Sequence, residues 1–315
     1  MKKKHFLRLR SNVSLKNYTT YRIGGPAKFF IKVRNEEELL ESLKEAKKRK
    51  IPFFILGAGS NLLVSDKGFK GLVIKMEMDR IKIEGEEILV EAGKLLTPLS
   101  YFLAQKGLSG LEWVAGIPGT IGGGIYGHIQ AMGGKISDVV KKVRAINVKN
   151  FDYKEFSNKE CCFSDKSSIF KEKKEWIILG ARLKLRKGNP TIIKKKIQEN
   201  IIYRKNHHPL DSLSAGSVFV NPEIKIKDSK LLREFPELKE FNKKGFIPAG
   251  YLIEKCGLKG KRIGGAKISE KHANFILNVK RAKAEDVLAL IKLAQRKVKK
   301  RFNINLVPEI QLLGF

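Results

Sequence analysis

The sequence predicts an α/β or α+β fold, and three observations carry that expectation. Segments with a helical hydrophobic period alternate with segments of strand character along the whole 315-residue chain. Several strand-like runs stop at glycine, as tight turns require. No internal repeat or low-complexity tract interrupts the alternation. A chain of this length buries a sizeable core and is expected to form two or three domains.

Residues 36–49 place Leu39, Leu40, Leu43 and Ala46 on one helical face. IPFFILG (51–57) reads as a buried strand ending in glycine, and GLVIKM (71–76) and IKIEGEEILVEAG (81–93) as further strands with tight glycine turns. TPLSYFLAQKG (97–107) predicts a short helix with Thr97 as N-cap and Pro98 at the first helical position. VVKKVRAINVKN (139–150) and EWIILGARLKL (175–185) alternate like strands of one sheet, and TIIKKKIQENIIYRKNHH (191–208) is a long basic helix that stops before Pro209. Residues 209–222 are loop-like and 223–244 charged. AGYLIEKCGL (249–258) suggests a short helix with Gly257 at its C-cap. Residues 283–300 form an amphipathic helix with Val287, Leu288, Leu290, Ile291, Ala294 and Val298 inward. INLVPEIQLLG (304–314) reads as a final strand.

Sixty-four Lys and Arg against 32 Asp and Glu give a formal net charge of +32. The lysines are spread along the chain and mixed with Glu, as in EEELLESLKEAKKRK. That is the pattern of solvated faces rather than of a nucleic-acid patch. The same field attracts phosphorylated small molecules. No apolar run nears the roughly 18 residues of a membrane span. The basic start, MKKKHFLRLR, lacks the apolar core of a signal peptide. Cys161, Cys162 and Cys256 have no framework spacing and read as reduced thiols of a cytoplasmic protein. The chain is expected to act as a monomer, with no nucleic-acid or membrane partner.

Two glycine clusters stand out. GAGSNL (57–62) follows a strand, but Leu62 replaces the third glycine of a dinucleotide fingerprint, which argues against a Rossmann domain. GIPGTIGGGIYG (116–127) has six glycines and no charge. Ile117, Ile121, Ile125 and Pro118 make it unlike a floppy linker. Glycine lets several N–H groups converge on an anion, or lets backbone lie flat against a planar ring, so the two clusters fit a bound nucleotide as well as two tight turns. Ser217, in SAGSVFVNP (214–222), is not in a hydrolase elbow, since Phe219 breaks G-x-S-x-G. It fits either a turn serine or a proton donor. Glu309 is a lone carboxylate among apolar residues, and buried carboxylates usually have a partner or a task. The adjacent pairs Cys161–Cys162 and His207–His208 do not have zinc-ligand spacing, and no metal site is expected.

YTTYRIGGPAKFF, ILGAGSNLLVSDKGFKGLVI, GLEWVAGIPGTIGGG, SAGSVFVNP, AGYLIEKCGLKGKRIGGAKISEKHANFILN and VPEIQLLG occur in that order. Together they resemble the UDP-N-acetylenolpyruvoylglucosamine reductase (MurB) family in its shorter form, nearly end to end. The resemblance implies an α+β protein with a two-part, non-Rossmann FAD-binding domain and a smaller substrate-binding domain. It implies FAD-binding subdomains at 1–75 and 76–205. The substrate domain is then 206–315, with its last strand returning Glu309 to the flavin. NADPH would reduce non-covalent FAD, and hydride would pass to the enolpyruvyl group of a UDP-linked sugar to give UDP-N-acetylmuramate. The cofactor positions carried over are Arg22, Gly24, Gly57, Ala58, Gly59, Ser60, Asn61, Gly116, Ile117, Pro118, Gly119, Thr120, Gly122 and Gly123. Hydride addition to one alkene carbon leaves negative charge on the other carbon and its carboxylate, which needs hydrogen-bonding and cationic partners. Ser217 aligns with the family's proton donor and Glu309 with its catalytic acid. Tyr203, Asn221 and His272 fall at substrate-contacting positions.

The chain departs from the family pattern in three places. A Tyr-Arg pair before the SIFK-like segment is Asp165–Lys166, so a flexible point charge replaces a planar fork. NAGA after the glycine stretch is HIQA (128–131), and Gln-Pro is His208–Pro209. Two other readings fit the residues. One is a flavin oxidase of related fold with another substrate, its cofactor attached at a side chain such as His128. The other is a basic nucleic-acid-binding protein, although no recognition module is evident.

Overall fold

A computed structural model describes residues 9–315; most of the basic start lies outside them. The chain divides into two compact units. Of the described residues, the first comprises 9–13, Ala27–Gly59 and Phe69–Asn206, and the second Ser14–Pro26, Ser60–Gly68 and His207–Phe315.

The first unit holds two larger sheets. In one, Pro26–Val33 and Phe53–Leu56 both pair in parallel with the central strand Phe69–Met76. Parallel neighbours need a crossover, and the helix Glu36–Lys48 supplies it. Asn35 caps that helix, its Oδ1 accepting from Glu38 N–H at 2.8 Å. Leu39, Leu43 and Ala46 are buried beneath it, while Leu40 is half-buried. The other sheet is antiparallel, in the order Tyr153–Ser157, Val140–Asn147, Trp176–Lys184, Glu87–Glu91, Ile81–Glu84. One parallel and one antiparallel sheet make the fold α+β. Ile88, Val90, Val143, Ala145 and Leu183 point from the antiparallel sheet into one core with Leu96, Leu99 and Leu103.

The helix predicted to open at Thr97 opens earlier. It spans Leu96–Gln105, with Leu95 at the N-cap, and Pro98 lies at its third position. Leu96 N–H is drawn instead to the Gly119 carbonyl at 3.0 Å. The Thr97 hydroxyl, released from capping, accepts from Gly116 N–H at 3.0 Å and donates to the Ile117 carbonyl at 3.3 Å. The helix Pro190–His207 buries Ile193, Ile197, Asn200 and Arg204 along one stripe.

In the second unit the helices Ala249–Lys255 and Ala284–Phe302 share a core with the small antiparallel sheet Arg262–Ile263, Ala266–Ile268, Ile276–Asn278. Val287, Leu290, Ile291, Ala294 and Val298 are buried, and Leu288 is half-buried. Cys256, not Gly257, is the C-cap of the shorter helix. Gly257 follows at φ +69°, where its N–H reaches the Glu254 carbonyl. The final strand is shorter than its alternation suggests. Only Gln311–Leu313 is regular strand, paired in parallel with Leu62–Val64. Pro308 has no N–H, and residues 307–309 instead bridge to 218–220.

Asn274, buried in this unit, imitates a strand partner. Its Oδ1 accepts from Phe219 N–H at 2.9 Å and its Nδ2 donates to the Phe219 carbonyl at 2.8 Å. Its own carbonyl accepts from Val218 N–H at 2.8 Å. Removing the amide strands two buried backbone groups, so Asn274→Ala is expected to lower folding stability by about 2–4 kcal/mol in urea unfolding. A loss within the noise of surface substitutions would show that water replaces the amide.

Candidate active site

The glycine-rich stretch of the first unit is ordered by its own backbone bonds. Ile121 N–H donates to the Lys94 carbonyl at 2.9 Å and Gly122 N–H to the Ala92 carbonyl at 2.8 Å. Thr120 caps the helix Ile121–Tyr126, its Oγ1 accepting from Gly123 N–H at 3.2 Å. Gly122 is required by this packing, since a Cβ there would lie 2.9 Å from Ala92 Cβ. Gly123 differs: it is exposed, and only Thr120 Oγ1 approaches its Cβ direction. With exposed Pro118 and half-buried Ile117 and Gly119, it leaves a stretch of accessible backbone. Gly57 packs on Thr120, joining the two glycine clusters. Ala58 is half-buried and Gly59 buried beside it.

Two cations of the first unit lie at these clusters, and the sequence reading named neither. Lys75 Nζ donates to the Gly57 carbonyl at 2.5 Å, and burial holds its ammonium pKa down. Arg204 lies across Gly116, its Cδ 3.0 Å from where a Cβ would stand. It is buried, its Nε has no hydrogen-bond partner among the described residues, and desolvation pushes its pKa down. The spacing of Ile193, Ile197, Asn200 and Arg204 was the available signal, because it puts Arg204 on the buried helical stripe. Tyr203, next along the helix, is exposed. Lys166 is half-buried at φ +52° in a tight turn spanning 164–167.

In the second unit the segments bearing Ser217, Glu309 and Asn61 are linked through their backbones, and the same unit holds Asn221 and His272. Ser217 bridges Phe275 on one side of its segment. On the other, Glu309 N–H donates to the Val218 carbonyl at 2.7 Å. Asn61 Nδ2 donates to the Glu309 carbonyl at 3.2 Å, and Gln311 N–H returns a bond to the Asn61 carbonyl. Ser60 is half-buried beside it. Ser217 and Glu309 are both half-buried. Asn221 Oδ1 accepts from Ala249 N–H at 2.9 Å, which engages the acceptor of this exposed amide. Arg22 is exposed at φ +55°, and Gly24 at φ +138° lets the turn close on Val64, which a Cβ would meet at 2.7 Å.

His272 packs on Gly250 and lies 5.0 Å, centroid to centroid, from Phe275 and 5.5 Å from His208. Its Nδ1 accepts from Asn274 N–H at 3.2 Å, which leaves the proton on Nε2. Burial holds its pKa below the ordinary histidine value. Among the described residues no group of three or more His, Cys, Asp or Glu is placed to hold a metal, and no helix is long and apolar enough to cross a membrane.

This α+β chain belongs to the flavin-dependent oxidoreductases, as its similarity to known proteins shows. Residues 27–150 match an FAD binding domain. Residues 208–313 match the C-terminal domain of UDP-N-acetylenolpyruvoylglucosamine reductase. The enzyme of that name from Caldanaerobacter subterraneus subsp. tengcongensis is 41% identical over 98% of this chain and 94% of its own. The Bacillus subtilis one is 35% identical over 100% and 97%. The crystal structure of UDP-N-acetylenolpyruvylglucosamine reductase (MurB) from Thermus caldophilus superposes with a TM-score of 0.77 at 32% identity, covering 98% of this chain and 100% of that one. The chain belongs to the UDP-N-acetylenolpyruvoylglucosamine reductase family.

A histidine whose folded pKa is depressed contributes stability fully above the unfolded value of about 6.5, and loses it as the pH falls below that toward the folded value. His272 is therefore expected to be neutral at pH 7, with a C2-proton NMR titration midpoint below the ordinary histidine value of about 6.5. A midpoint at or above it would contradict the burial argument.

Proposed function

We propose that this protein reduces UDP-N-acetylglucosamine enolpyruvate to UDP-N-acetylmuramate in the cytoplasm, with non-covalent FAD as cofactor and NADPH as reductant. Family membership and one observation support the reading: Ser217 and Glu309, far apart in sequence, sit on segments hydrogen-bonded to each other.

The residues present fit FAD. Arg204 offers a buried guanidinium with an unused Nε donor, as expected of a site completed by an acceptor-rich ring. Gly116, Ile117, Pro118, Gly119, Thr120, Gly122 and Gly123 would supply the backbone surface for that ring. Gly57, Ala58, Gly59, Ser60 and Asn61 would take the pyrophosphate, with the Lys75 charge close by and Arg22 and Gly24 completing the entry. The 1–75 and 76–205 segments would be the two halves of this cofactor domain, and 206–315 the substrate domain. Non-covalent binding is favoured at His128, whose two ring nitrogens are both engaged, by the Ser164 carbonyl and Ser137 Oγ. A covalent flavin would need one of them.

Bound FAD supplies hydride transfer from NADPH to one carbon of the alkene. The chain's own residues manage the charge and the proton. Ser217 Oγ–H donates a proton to the other carbon. A serine hydroxyl is a weak acid, so the Glu309 carboxyl assists by stabilising the enolate, and Lys166 balances the substrate carboxylate. Asn221 Nδ2 and neutral His272 Nε2–H act as donors to the UDP-sugar, together with Tyr203. A nucleic-acid role has no supporting observation in this geometry.

Purified protein is expected to be yellow and to bleach with NADPH; material that stays colourless after FAD is added contradicts the reading. In stopped-flow mixing, Ser217→Ala is expected to leave flavin reduction by NADPH intact and to slow reoxidation by the enolpyruvyl sugar about 10²–10⁴-fold. Equal slowing of both steps argues against a donor role. Arg204→Met is expected to weaken FAD binding at least about tenfold in a fluorescence titration, since a lost charge-assisted bond is worth roughly 1.5–3 kcal/mol. Unchanged affinity would assign Arg204 to packing alone.

A further inference from the structure

The family departures at 128–131 and at 165–166 are in contact with each other. His128, buried at φ +42°, places Nδ1 on the Ser164 carbonyl and Nε2 2.9 Å from Ser137 Oγ. A carbonyl only accepts, so Nδ1 carries the proton, and Nε2 then accepts from the Ser137 hydroxyl. The ring also stacks on Phe163, with centroids 4.8 Å apart and planes 29° from parallel. Two residues on, Gln130 Nε2 donates to Asp165 Oδ1 at 3.4 Å.

The segment they hold is the turn that carries Lys166. Ser164 and Ser167 close it with reciprocal backbone bonds of 3.1 and 3.3 Å. Lys171 Nζ binds the Lys166 carbonyl at 2.7 Å, and buried Ser168 donates from Oγ to the Tyr126 carbonyl at 2.9 Å. The turn is thus tied on both sides of Lys166 to the end of the glycine-rich stretch and the residues just after it.

We propose that His128 and Gln130 are positioning residues for Lys166. An arginine fork orients itself on a carboxylate through paired bonds, whereas a lysine is a point charge on a flexible stem. Fixing the backbone from which that stem springs narrows the region its ammonium samples. His128 and Gln130 supply this fixation, so the two departures form one compensated unit. The proposal rests on the reading that Lys166 balances the substrate carboxylate.

The test combines His128→Ala, His128→Asn, His128→Gln and Gln130→Ala with Lys166→Met in the FAD-loaded enzyme. Asn places a donor where Nδ1 stands and suits positive φ; Gln reaches only toward the Nε2 partner. His128→Ala is expected to slow the substrate half-reaction about tenfold and raise the KM for the enolpyruvyl sugar, with NADPH reduction of the flavin unchanged. His128→Asn is expected to recover most of that loss, and His128→Gln little. Gln130→Ala, at a half-buried side chain on the surface of the turn, gives a smaller loss of the same kind and remains informative if His128→Ala does not fold. In the Lys166→Met background these losses vanish. Amide exchange at 164–167, measured in flavin-free protein, speeds up in His128→Ala and not in His128→Asn. Additive losses, equal behaviour of Asn and Gln, or equal slowing of both half-reactions overturns the positioning role. If Lys166→Met alone leaves the substrate half-reaction unchanged, the premise fails instead.

Discussion

The carbonyl of Val218 and the N–H of Glu309 form the bond on which the arrangement of the second unit depends. Neither segment is a strand with a full ladder. Residues 217–219 are held between 274–275 and 307–309 by isolated bridges, and Asn274 completes the pattern with its side chain. A buried backbone must satisfy its polar groups, and here an amide side chain does what a neighbouring strand would otherwise do.

The first unit meets a different constraint. Backbone without side chains exposes carbonyls and N–H groups, and much of this stretch satisfies them on residues 92–97. Burial of cations beside it then has a physical meaning. Arg204 and Lys75 both lose hydration; Lys75 keeps the Gly57 carbonyl and the charge of Glu77, whereas Arg204 Nε has no partner among the described residues. A chain with a +32 charge has no shortage of cations, so excess alone does not bury them. Their positions at Gly116 and Gly57 make them part of the anion- and acceptor-binding character of the two clusters.

Where one face of an element meets one core, the sequence was sufficient. The helices Glu36–Lys48 and Ala284–Phe302 and the hairpin strands Ile81–Glu84 and Glu87–Glu91 were legible from periodicity and a glycine turn. Where a tertiary partner outbids a local preference, it was not. Thr97 has good N-cap chemistry, but the glycine-rich loop claims its hydroxyl. The last strand reads as eleven alternating residues and keeps three, because Leu62–Val64 offers only three partners. The site residues entered through resemblance, not through local pattern. Arg204 stood in a run of basic residues and looked solvated, although its place on the Ile193–Ile197 stripe contained the signal. Asn274 was a polar residue in the apolar run ANFIL, and its role as a strand substitute is visible only with Phe219 beside it.

The chain's path explains why Asn61 and Glu309 belong together. The boundary between the units falls inside the 57–61 loop, after Gly59, so Ser60 and Asn61 are part of the same unit as residues 207–315. From Asn61 the chain runs into Leu62–Val64, which pairs in parallel with Gln311–Leu313. Parallel pairing in register fixes the residues just before each strand against each other, and those residues are Asn61 and the segment ending in Ile310. The Asn61 amide bond to the Glu309 carbonyl is the consequence. The second half of the glycine loop and the segment bearing Glu309 are thereby set by one short ladder. Slipping that ladder by one residue would reverse the facing of every side chain on it and separate the two. Three paired residues are a short anchor, and at its far end Gly314, at φ +81°, packs so closely on the Gly68 carbonyl that a Cβ would not fit.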